Sequence, residues 1–267
     1  MNNTRYSRSR YLRAVKKEKR AVRILQLSIV AGLLFAWEAG TGLGLADAFI
    51  VSSPVRMFRM FLTMAGGDLA RHVLYTVSET MAGFILGVAL GFGAAVGLWF
   101  SPFANKVLSP YLVVLNSLPK VALGPVIIVW AGAGVSAVIT MALAISLIVT
   151  IMELTHGFYS TDANMMITVQ SFGAGKWECF KKVVMPYNVP VLFQSLKVNI
   201  GLCLVGVIAG EFLVSKAGLG YLIVYAGQVF KMDLVMMSVV LLGFIAFLMY
   251  SAVSAAEKLA IKIINHI

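Results

Sequence analysis

Apolar positions along this chain come in long, nearly charge-free runs rather than in one-sided helical stripes, so each run predicts a helix with lipid around much of its surface. Ile24 to Gly44 is the weakest, its charge-free part ending at Glu38. Val73 to Phe100 is stronger: Thr80 to Asn105 carries no charge at all, ample for the ~20 residues a bilayer requires. Leu108 to Trp130 is apolar but contains Pro119 and Pro125, six residues apart, which one regular helix does not accommodate. Backbone groups freed at such a break are tolerated in a membrane only against protein or a wet cavity. This span therefore predicts a pathway wall, with Asn116, Pro119, Lys120 and Pro125 as candidates. Val135 to Met152, Val191 to Val214 and Leu234 to Ala256 complete a set of six spans, and the expected fold is an all-α integral membrane protein.

Polar segments separate these runs. Residues 1–23 form a basic arm, read first as a topogenic charge cluster and second as a contact for anionic headgroups. A cleaved signal peptide fits poorly, because the basic region is too long and Ala46-Asp47-Ala48 lies too far from it. Residues 45–72, with Pro54, Gly66 and Gly67, read as an external loop carrying a short amphipathic helix. The longest polar segment, Asn164 to Pro190, holds Lys176, Lys181 and Lys182 against Glu178, and Pro186 and Pro190 close it. It predicts a short helix, a turn and the start of the fifth span.

Composition agrees with the bilayer reading and excludes a nucleic-acid partner. Sixty per cent of the residues are apolar and twelve per cent charged, with mean hydropathy +0.90. The net charge of +11 is distributed as topology demands: nine of the 22 basic residues lie before Ile24. With both termini inside, internal segments hold 15 of them, external loops five, and only Lys120 and Lys197 lie within spans. An ionised side chain at membrane depth costs at least ~2.5 kcal/mol, so Lys120 and Lys197, with Glu211 at the end of the fifth span, join the pathway candidates. Gly83, Gly87 and Gly91 repeat every four residues and predict close packing against another helix, making the second span the expected centrepiece of the bundle.

Nine residues separate Gly173 from Val183-Val184-Met185-Pro186, which resembles the glycine, gap and I-x-L-P of the EAA loop in permease subunits of binding-protein-dependent ABC importers. Ile167-Thr168-Val169 stands where that family has Glu-Ala-Ala, so its acidic residue is absent. LPKVALGPVIIVWAGAG, from Leu118, is similar to the P-k-x-A-l-x-P-l-x-x-W-f-G-x-G signature of the sulfonate, taurine and nitrate branch, with Ala131 in place of Phe. SSPVRMF, Ala209-Gly210-Glu211 and Gly218-Leu219-Gly220 resemble further elements of the same branch. The resemblance implies a MetI-like core over residues 73–267, preceded by one extra span (24–44), with a cytoplasmic coupling loop at 156–190. It also implies a homodimer, two copies of a separate ATPase that binds ATP and Mg, and an extracytoplasmic solute-binding protein. Gly173, Ala174, Phe180, Val183, Met185 and Pro186 are then the expected ATPase-coupling residues. Consistent with a non-catalytic chain, no G-x-x-x-x-G-K-[ST] loop occurs.

Other classes fit less well. A stand-alone secondary transporter usually shows paired broken helices, and only one span here is broken by proline. Glu153 and His156 form a Glu-x-x-His pair, but no second such pair completes a di-iron site, so no metal is expected. The solute stays open among sulfonates, taurine, nitrate and vitamin or pyrimidine precursors.

Overall fold

The computed structural model describes residues 3–264, with side chains from residue 14 to residue 262. The side chains of residues 1–13 of the basic arm, and residues 1, 2 and 265–267 altogether, lie outside the described part. Every regular element among the described residues is helical.

Helix α1 (Asn3–Gly42) joins the arm to the first span without a break, since no proline or glycine interrupts it before Gly32. No residue of its apolar window is buried in the protein. It is held instead by its far end, where Glu38 accepts the Val55 N–H at 3.0 Å and the Ser53 hydroxyl at 3.2 Å. These residues begin the amphipathic helix α3 (Pro54–Ala65), which follows the single turn α2 (Ala48–Val51). Pro54 sits in the first turn of α3, where its missing N–H costs nothing, and Ser53 accepts the Arg56 N–H as a cap.

Helix α4 (Leu69–Phe100) and α5 (Pro102–Ser117) meet at Ser101. Beyond α5 the chain makes a tight turn at Lys120–Leu123 and continues as α6 (Gly124–Ala131), bent by 85° from α5. The pair of prolines thus produces a sharp elbow rather than the mild kink of a continuous span. Lys120 Nζ lies 3.3 Å from the Asn116 carbonyl and 2.9 Å from its Oδ1, so the cation occupies backbone polarity freed at the elbow.

Helix α7 (Val135–Tyr159), and not α4, is the centre of the bundle. α4 packs along one side of it and α11 (Val189–Val214) along the other. Glycine decides both contacts. A Cβ on Gly83 would stand 2.8 Å from the Ala142 Cβ, one on Gly87 3.0 Å from Ser146 Oγ, and one on Gly91 2.6 Å from Thr150 Cγ2. From α11, a Cβ on Gly206 would stand 2.5 Å from the Ala142 Cα, and one on Gly210 2.8 Å from the Val138 Cα. The expectation that α4 would be central failed because its sequence shows one small-residue face, while α7 meets two neighbours with ordinary Ala, Ser and Thr. Helices α12 (Leu219–Gln228) and α13 (Met232–Ile264) close the bundle, and Asp233 binds Arg56 at 3.0 Å and the Ser52 hydroxyl at 2.7 Å.

Overpacking such contacts costs about 1–3 kcal/mol each. Gly87→Leu and Gly206→Leu are therefore expected to lower the melting temperature of the detergent-solubilised protein, whereas Gly93→Leu, where a Cβ meets nothing within 4 Å, leaves it unchanged. Differential scanning fluorimetry of the three variants checks this.

Candidate coupling surface and pathway residues

After α7 the chain forms α8 (Ala163–Ser171), begun by Asp162, whose carboxylate accepts the Asn164 N–H at 2.8 Å. The helix is stopped by Gly173, which holds φ +85° while its N–H reaches the Gln170 carbonyl at 2.8 Å. That left-handed backbone strains other residues, so glycine is required for the turn. A second rod follows: α9 (Lys176–Cys179), a widened π turn (Phe180–Val184) and α10 (Met185–Tyr187). In the widened turn the Met185 N–H reaches back to the Phe180 carbonyl. This accommodates Pro186, which lacks an N–H and whose ring would crowd the carbonyl one normal turn back. At the start of the rod the Gly175 N–H, and next the Lys182 ammonium, hold the Glu178 carboxyl below its ordinary value.

The rod is bolted to the bundle by aromatic rings. Phe180 lies 5.1 Å from Trp99, 5.7 Å from Phe100, 5.5 Å from Phe158 and 5.9 Å from Trp177, measured between ring centroids. Lys176 Nζ donates to the last carbonyl of α4, that of Phe100, at 2.6 Å and sits over the Trp99 ring. Phe180 and Val183, two of the expected coupling residues, are inward anchors: both are buried. Met185 is half-buried, whereas Gly173 and Pro186 are exposed and Ala174 is half-exposed. Exposure concentrates on α8 and its turn, where Phe172 is 87% exposed and Ile167 59%. Sequence reasoning missed Phe172; its signal was a large apolar residue immediately before the turn glycine. Between α8 and the rod runs a groove lined by Met165, Thr168, Val183, Pro186 and Tyr187.

The pathway candidates do not converge. Asn116 and Lys120 sit together at the α5–α6 elbow, with Pro119 and Pro125 exposed beside them. Lys197 is elsewhere, paired with Glu257 of α13 at 2.5 Å and lying over the Tyr250 ring. Glu211 is 1% exposed and accepts the Thr76 hydroxyl and the Gly220 N–H, both at 2.6 Å. Its carboxylate is committed to the turn between α11 and α12 and does not open onto a lumen here, because the Gly218–Gly220 backbone wraps around it. His156 is exposed at the end of α7, and no group of three or more metal-ligating side chains occurs among the described residues.

Comparison with known proteins places this architecture. Residues 87–262 match the profile of the family described as "Binding-protein-dependent transport system inner membrane component". The chain belongs to this family. Relatives include the riboflavin transport system permease protein of Chloroflexus aurantiacus, 28% identical and aligned over 86% of each chain. The taurine transport system permease protein of Escherichia coli is 24% identical over 88% of this chain and 87% of its own. Among solved structures, the MetNI methionine ABC transporter in an inward-facing form matches 71% of this chain and 94% of its own with TM-score 0.66 at 16% identity. A bacterial importer of the acidic polysaccharide alginate matches 93% and 98% with TM-score 0.64 at 12% identity. The protein is thus a multi-pass inner-membrane permease of an ABC importer with the MetI-type fold, a family that is not itself catalytic.

If Phe180 anchors and Phe172 does not, truncation separates them. Phe180→Ala is expected to destabilise the protein by about 3 kcal/mol and Phe172→Ala by less than ~0.5 kcal/mol, read from thermal unfolding of the solubilised chain.

Proposed function

We propose that the Ala163–Tyr187 segment seats this permease on a separate ATPase, which binds ATP and Mg and supplies the work of import. The observation that carries this reading is the exposed apolar tip, Phe172 beside the left-handed Gly173, mounted on a rod that is itself fixed to the ends of α4 and α7. A load applied at α8 passes through the aromatic cluster into the bundle rather than being absorbed by a slack loop. Ile167, standing where the related loop has a carboxylate, makes this contact more apolar.

In the full assembly two copies of the chain pair, two ATPase subunits bind from the cytoplasm, and an extracytoplasmic solute-binding protein delivers cargo from the other side. The basic residues favour both termini in the cytoplasm and leave the α1 arm against anionic headgroups. Cargo is a small anion of the sulfonate, taurine or nitrate kind, supported by Lys120 at the elbow and by the taurine and sulfonate permeases among the relatives. A flat vitamin is the second reading, favoured by the riboflavin relative and by Trp130, 83% exposed at the end of α6. Reconstitution with the ATPase and binding protein tests both levels. Gly173→Trp is expected to abolish cargo-stimulated hydrolysis while leaving insertion intact, and normal transport by that variant would refute the socket. In the same vesicles Lys120→Gln is expected to slow uptake of an anion about tenfold, worth ~1.4 kcal/mol, and to leave riboflavin uptake unchanged if that is the cargo. Lys197→Gln, already paired with Glu257, changes neither rate by more than its effect on stability.

A further inference from the structure

At the end of the bundle away from the coupling segment, two carboxyl groups meet inside the protein. Glu79 of α4 is 3% exposed and Glu211 of α11 is 1% exposed. Glu211 lies against the α4 face that carries Glu79, accepting the hydroxyl of Thr76 one turn earlier at 2.6 Å, and the two carboxyl groups are within hydrogen-bonding reach. Their surroundings are unequal. Glu211 accepts from the Thr76 hydroxyl and from the Gly220 N–H. Glu79 Oε2 is buried with no partner.

No cation compensates the pair. Among the described residues neither carboxyl belongs to a salt bridge. His72, also on α4, uses Nδ1 to accept the Gly218 N–H at 3.1 Å, and the Tyr221 ring of α12 stacks on it. α7 has no ionisable side chain between Val135 and Met152, and Asp233 at the start of α13 is taken by Arg56 and Ser52. Two touching carboxylates without a counter-charge in a dry interior do not both stay ionised.

We propose that Glu79 and Glu211 form a proton-binding site in which Glu79 keeps the proton and donates its O–H to the Glu211 carboxylate. The assignment follows from the donors: Glu211 already receives an O–H on one oxygen and an N–H on the other, so a proton on it would oppose one of them. The bare Glu79, by contrast, becomes a donor facing the acceptor it touches. The site positions the turn between α11 and α12. Thr76 Oγ1 accepts the Leu219 N–H at 2.8 Å while donating to Glu211, so α4, α11 and the Gly218–Gly220 turn are tied through one carboxylate. Removing the proton places a second negative charge against that carboxylate and loosens the turn. Protonation is thus a structural requirement of this corner, independent of any partner or cargo.

Infrared difference spectroscopy of the purified full-length chain in lipid tests the proposal. At neutral pH the wild type is expected to show a protonated-carboxyl C=O band that shifts in D2O and is lost in Glu79→Gln. Glu79→Gln, which imitates the protonated acid, keeps the wild-type melting temperature, whereas Glu211→Gln lowers it by on the order of 5 °C. The proposal is overturned if no such band exists, if Glu79→Gln retains its full intensity, or if Glu79→Gln is as destabilised as Glu211→Gln. Should Glu211→Gln fail to fold, the band in the wild type and in Glu79→Gln still decides.

Discussion

Ala142 is held between two glycines, and the rest of the molecule is arranged around that clamp. Gly83 of α4 presses on its Cβ and Gly206 of α11 on its backbone, with no room for a methyl group at either place. Lipid gives helices no hydrophobic reason to associate, so close backbone approach, with the dispersion contacts it brings, has to do the work. Because three helices are locked here, both ends of α4 become fixed points. Its first turns carry His72, Thr76 and Glu79, which position the α11–α12 turn; its last residues, Trp99 and Phe100, receive the Lys176–Tyr187 rod.

Polar groups inside this bundle follow the same economy. Thr150 donates to Asn199 Oδ1 at 2.7 Å and Asn199 donates to the Ser195 carbonyl at 3.0 Å, so the α7–α11 seam satisfies its own polarity. Asn188, just ahead of α11, donates to Thr161 and to the Val184 carbonyl, joining the end of the rod to the end of α7. Peripheral parts are held differently: α1 is fastened through Glu38 to the start of α3, and α3 through Arg56 to α13. An added span attached by polar contacts at one end leaves the core packing untouched.

Much of this was legible in the sequence. The runs of apolar residues marked the spans because a bilayer demands length, and the four-residue glycine spacing marked the α4 face because helical geometry repeats at nearly that interval. What escaped was whatever depends on tertiary partners. Ala142, Ser146 and Thr150 look like ordinary span residues, and only the two glycine faces turned toward them reveal α7 as the centre. Phe180 and Val183 sit at the right spacing from Gly173, yet spacing does not say which side of a π turn they occupy. Glu79 lies one residue outside the charge-free run and reads as a boundary residue until Glu211 is seen beside it. Prolines at 119 and 125 announced a break but not its 85° angle, which the Lys120 ammonium and the Asn116 carbonyl help to hold.

The central claim, that force enters through the tip of α8, is tested most directly by site-specific photo-crosslinking in membranes that contain the whole importer. A photoreactive residue placed at Phe172 should form an adduct with the ATPase subunit, and one placed at Phe49, at the opposite end of the protein, should not. Adducts from Phe49 with none from Phe172 would contradict the account.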